Sequence, residues 1–152
     1  MSIDTWIRHI ISIHFNPVHG SQYWLQKEKT LGIHARRDIS SLDDLHILGP
    51  MEEEDLRRYP LEHFIPTIYL KNKEELILGE TAGTTGLPKV TAYLKNEFYM
   101  TFVEWFRYIA VHRGFPSAAN WLWVGPSGPH IIGKAVGPVA RSMGSMDPFS
   151  ID

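Results

Sequence analysis

Apolar side chains at Ile3, Ile7, Ile10 and Ile11, joined by His14, recur at three- and four-residue spacing. That spacing predicts an amphipathic helix with Asp4 as its N-cap and Asn16-Pro17 as its end. Ser21 is the predicted cap of a second short helix through Tyr23, Trp24 and Leu25, with Gly32 as its stop. Residues 40–66 read as short helical pieces broken by Gly49-Pro50, Pro60 and Pro66. From residue 67 the texture changes. Residues 67–70, 75–78 and 90–94 have strand-like content, and the last two flank a Gly/Thr-rich loop over 79–89. Asn96 is the predicted cap of the longest helix, residues 97–112, with Phe98, Phe102, Trp105, Phe106 and Ile109 on its apolar face. A short strand at 121–124, a Gly/Pro turn at 125–129, a helix at 131–143 interrupted or kinked by Pro138, and the opening of a strand at 148–152 complete the pattern. The expected class is α/β, with a helical lead-in over 1–66 and an α/β segment over 67–152.

Composition narrows the chemistry. The chain has 152 residues and no cysteine, which excludes a disulfide scaffold, a thiolate metal site and a Cys nucleophile. Lys and Arg total 15 against 17 Asp and Glu, a net charge of -2, which argues against a basic nucleic-acid binder. Residues 1–80 carry 9 basic and 13 acidic side chains and residues 81–152 carry 6 and 4, so an anionic ligand suits the second half better. The apolar run over 7–15 is interrupted by Arg8, His9 and His14 and falls short of the roughly 20 residues a membrane span needs. No membrane association and a cytoplasmic location are therefore expected. The eight histidines are scattered, without a His-Glu-x-x-His pattern, and predict no metal site.

The informative stretch is Thr81-Ala82-Gly83-Thr84-Thr85-Gly86-Leu87-Pro88-Lys89. Glycines let backbone N–H groups turn toward phosphate oxygens, threonine hydroxyls donate hydrogen bonds, and a lysine supplies a point charge. The spacing is not that of a Walker loop, because Gly86 is not followed by Lys.

This segment resembles the phosphate-binding signature of the adenylate-forming (AMP-binding) superfamily, Thr-Ser-Gly-Thr-Thr-Gly-x-Pro-Lys-Gly. Ala82 stands where that signature has Ser, and Val90 where it has Gly. The flanks are similar to the phenylacetate–CoA ligase-like branch. Leu31-Gly32-Ile33, the run from Asp38 to Leu45, and Asp55-Leu56-Arg57 resemble its lead-in, and the run from Trp123 to Gly133 resembles the Gly-rich turn near its acyl pocket.

The resemblance implies the N-terminal part of a ligase large domain. It implies a two-step reaction in which a small carboxylic acid is adenylated by ATP with Mg²⁺, and the acyl group then passes to a thiol, typically coenzyme A. By that resemblance Thr81, Gly83, Thr84, Thr85, Gly86 and Lys89 bind the phosphates, Lys89 has the catalytic role of neutralising the leaving pyrophosphate, and Gly125, Gly128 and His130 border the acyl pocket. Mg²⁺ is implied to be held by phosphate oxygens and water, with no protein metal ligand. The family's Tyr-Gly-x-Thr-Glu segment and lid lysine are not in residues 1–152. The expectation is therefore a fragment, inactive alone and binding ATP weakly or not at all, with self-association through surface that missing regions would cover. A truncated non-catalytic remnant or a protein-interaction domain is the alternative.

Overall fold

The computed structural model describes residues 2–83 and 86–152. It is a mixed α/β structure, rich in helix and with two small two-stranded sheets among the described residues. The chain forms two compact units, Met1–Lys73 and Glu74–Asp152.

The first unit is helical. Helix α1 spans Ile3–His14. Its N-cap is Ser2, not Asp4: the Ser2 hydroxyl accepts the Thr5 N–H at 3.2 Å. Asp4 falls two residues past the cap position, inside the first turn, and its carboxylate accepts the Leu42 N–H instead. Ile11 and Phe15 enter a core with Ala35, Ile39 and Leu48, while Ile3 is 55% exposed at the far end of the stripe. Helix α2 spans Gln22–Leu31 and ends on Gly32 at φ +66°, as its sequence predicts. Ser21 occupies the N-cap position, but its hydroxyl makes no cap bond; it is fully buried and hydrogen-bonded to His14 Nδ1 at 2.9 Å.

Short helices α3 (Ala35–Asp38), α4 (Asp55–Arg58) and α5 (Thr67–Leu70) follow, with 3₁₀ turns at Asp43–Leu48 and Leu61–His63. Residues 67–70 are thus a helical turn and not the expected strand. Four β-prone residues form a strand only against a partner. Here Pro66 presets the entry to a turn and its carbonyl accepts the Tyr69 N–H at 2.9 Å.

The second unit contains the sheets. Strands β1 (Leu76–Glu80) and β2 (Val90–Leu94) pair antiparallel, from Leu76 opposite Leu94 to Glu80 opposite Val90. A continuous helical run follows: α6 (Lys95–Phe98), a π-helical stretch (Tyr99–Glu104) and α7 (Trp105–His112). Asn96 lies inside α6 and does not cap it. The Leu94 N–H is accepted by the Glu97 carboxylate, and the helix starts two residues earlier than expected.

The π-helical stretch also corrects the expected apolar face. Its i→i+5 bonding widens the turn, so the inward stripe passes from Phe98 and Phe102 to Val103 and Ala110. Trp105 and Ile109, inward-facing on a 3.6-residue period, are 61% and 54% exposed.

Helix α8 (Ile131–Ser142) runs through Pro138 as one element and brings Ala135 and Val139 against Phe98 and Val103. Strands β3 (Leu122–Val124) and β4 (Phe149–Ile151) pair in parallel. No helix among the described residues is long and apolar enough to cross a membrane.

Candidate phosphate-binding site

The loop over 79–89 connects β1 to β2, so the last ladder pair, Glu80 and Val90, sets its base. Immediately beyond, Thr81 and Lys89 close a neck. The Thr81 N–H donates to the Lys89 carbonyl at 3.0 Å, and the Lys89 N–H donates to Thr81 Oγ1 at 3.0 Å. A hydroxyl that accepts one bond retains its own hydrogen for donation. Thr81 therefore joins the two sides of the loop and still offers a donor.

Within the loop the Gly86 N–H donates to the Gly83 carbonyl at 3.1 Å. Gly83 has φ +68°, and a Cβ there would lie 2.9 Å from the Gly86 carbonyl oxygen and 3.1 Å from the Pro88 ring. The dihedral favours glycine and the crowding requires it. Gly86 has φ +144°. Pro88 is thus packed against the backbone that it follows, and it fixes the approach of Lys89 to the neck. Thr84 and Thr85 lie outside the described residues.

The second predicted site segment comes to the base of the same loop. The Glu80 N–H donates to the Pro129 carbonyl at 2.9 Å, and Glu80 pairs with His130 in a parallel bridge. The 125–129 turn therefore lies along the edge of β1. Gly79 allows that approach: a Cβ on it would fall 2.4 Å from Ile131 Cδ1 and 3.0 Å from Ile131 Cβ. His130 is the N-cap residue of α8, half-buried, with no side-chain cap bond. Gly128 turns the chain at φ +63°. The Trp123 indole N–H donates to the Pro126 carbonyl at 3.3 Å, on the turn that begins at Gly125. Ser127 donates its N–H and its hydroxyl to the two oxygens of Asp152, at 2.8 and 2.5 Å, which ties the turn to the residue after β4.

The structure brings together Thr81, Gly83, Gly86 and Lys89 in one loop, and places the segment containing Gly125, Gly128 and His130 beside its base. Pro129 and Ile131 fall in the run from Trp123 to Gly133 that the sequence singles out, but Glu80 and the junction it makes with them do not show in the sequence. The spacing of Gly79 and Ile131 carries no local signal for it, because the contact spans more than 50 residues.

The neck and glycine turns suit an anion with several oxygens. They supply a side-chain donor at Thr81 and a lysine at the exit. Among the described residues no three His, Asp or Glu side chains converge as a cation cage. The comparisons with known proteins add no family: no family model and no curated protein matches the chain.

Proposed function

We propose that residues 79–89 cradle the phosphates of ATP and that the chain is the N-terminal part of an adenylate-forming acyl- or aryl-CoA ligase of the phenylacetate–CoA ligase type. The observation that carries this reading is the Thr81–Lys89 neck, with Gly83 at a positive φ where a Cβ would crowd the Gly86 carbonyl, in the segment that resembles the family's phosphate signature. Thr81 and the glycines position the β/γ-phosphates, and Thr84 and Thr85 take the remaining donor roles implied by the resemblance. Lys89 neutralises charge on the departing pyrophosphate as the carboxylate attacks the α-phosphate. These roles are positioning and electrostatic, with no covalent step on the protein. Gly125, Gly128 and His130 border the acid, and coenzyme A takes up the acyl group in the second step.

The protein that carries these residues together with the family's later motifs is expected to exchange pyrophosphate into ATP in a carboxylate-dependent way. Lys89→Ala should lower that exchange on the order of 100-fold, the scale of one lost electrostatic donor. Unchanged exchange in the variant removes Lys89 from this role.

A second reading, an interaction or self-associating domain, is favoured by one observation. Trp105 and Ile109 on α7 and the paired Leu122 and Phe149 of β3 and β4 are all more than half exposed, and large apolar side chains left on a surface favour association where they join into one patch. A concentration-dependent sedimentation coefficient supports that reading.

A further inference from the structure

The first unit holds a cleft of about 490 Å³ between α2 and the segment over 48–63. That volume is in the range of small-molecule sites, roughly 300–1,000 Å³. Tyr23 and Tyr59 both line it. Their ring centroids are 5.8 Å apart at an interplanar angle of 67°, so they form a corner of two aromatic walls. Phe64 and Trp24 back the Tyr23 ring at 4.6 and 5.2 Å and hold it in place. Aromatic faces carry negative π density and attract cations that approach them.

The charges in the cleft have the matching sign. Glu52 and Asp55 both line it. Asp55 accepts the Tyr23 phenol at 2.8 Å, and one such bond uses only part of a carboxylate's accepting capacity. The phenol senses the local field: it is pushed up to about 12, first by burial, then by its bond to Asp55 and by the charges of Asp55, Tyr59 and Glu52. Two groups of the opposite tendency also line the cleft. The Lys27 ammonium donates to the Pro50 carbonyl at 2.7 Å and lies 5.5 Å from the centre of the Trp24 ring, so it is already matched. The His63 ring lies 6.1 Å from that of Tyr59.

An anion here would face two carboxylates, and a neutral apolar guest would leave them unanswered. We propose that this cleft binds a small organic cation, an alkylammonium whose charged head sits at the Tyr23–Tyr59 corner beside Glu52 and Asp55. The site lies wholly within the first unit and does not depend on the phosphate-loop reading.

The test uses the 152-residue protein labelled with ¹⁵N and two probes of equal shape, choline and its neutral carbon isostere 3,3-dimethylbutan-1-ol. Choline at millimolar concentration should shift the amide signals of Tyr23, Gln26 and Tyr59, and the neutral alcohol should bind at least about tenfold more weakly. Glu52→Gln, at an exposed side chain whose loss does not threaten folding, should weaken choline several-fold, and so should Asp55→Asn. Equal binding of the two probes, absence of choline shifts at these amides, inorganic phosphate shifting the same amides, or wild-type affinity in Glu52→Gln would each overturn the proposal.

Discussion

Thr81 and Lys89 are bonded to each other twice, once through backbone alone and once through the Thr81 hydroxyl, and this pair closes the neck of the glycine-rich loop. The second bond is the one a substitution can remove without disturbing the ladder. Thr81→Val keeps the shape and loses the acceptor, at about 0.5–1.5 kcal/mol for a typical hydrogen bond. The Lys89 amide should then exchange with solvent about tenfold faster, with β1 and β2 amides unchanged. Equal protection of Lys89 in the variant would show that the hydroxyl does not hold the neck.

Gly83 gives a sharper loop variant. Gly83→Ala places a Cβ against the Gly86 carbonyl oxygen in a left-handed conformation, at about 1–2 kcal/mol for the dihedral alone. The loop must rearrange, so nucleotide-induced changes should be lost while the circular dichroism spectrum stays as it was. A Gly83→Ala protein that responds to MgATP like the parent would contradict a preformed cradle.

The π-helical stretch makes opposite predictions for neighbouring residues. Val103 is 1% exposed and Trp105 is 61% exposed. Val103→Ala should lower unfolding stability by about 1–3 kcal/mol, from lost burial and the cavity left behind. Trp105→Ala, despite the larger truncation, should stay within about 0.5 kcal/mol, as surface changes do. Urea denaturation of the two variants decides between this phase and a regular helical stripe.

That contrast also shows where the sequence is legible. The β1–β2 hairpin, the stop at Gly32 and the helix beginning at Ile131 follow from local rules of turn chemistry, strand content and periodicity, and each is present. The inward face beyond Phe102 is not legible, because a change from i→i+4 to i→i+5 bonding has no composition signature. Residues 67–70 look like a strand by side-chain type, yet nothing local reports that they lack a partner. In the site, the loop is visible as a motif. Its junction with the 125–130 segment is visible only after Gly79 meets Ile131 in three dimensions. The cation cleft is missed for the same reason: Tyr23 and Asp55 are 32 residues apart.

Two of the groups that couple pH to the stability of the first unit are His14 and Asp44. Burial lowers the pKa of His14, whose ring is hydrogen-bonded to the fully buried Ser21. The unfolded chain, with an ordinary value of 6.5, therefore binds a proton before the folded one does. Stability from His14 is present above pH 6.5 and is lost as pH falls below it. Asp44 acts lower. N–H and hydroxyl groups of Ser40 and Ser41 hold its carboxyl at about 2, against an ordinary 3.8, so its contribution disappears as pH falls from 3.8 toward 2. Urea midpoints should drop between pH 7.5 and 5.5, and His14→Gln should flatten that interval. A midpoint independent of pH there would show that folding does not lower the His14 pKa.

The most direct test of the phosphate cradle is an amide NMR titration of the ¹⁵N-labelled 152-residue protein with MgATP to several millimolar, repeated with Lys89→Ala. The account predicts weak binding that shifts the amides of Gly83, Gly86 and Lys89 and leaves those of the first unit in place, with these shifts strongly reduced in the variant. Shifts confined to other residues, or equal shifts in Lys89→Ala, would contradict it.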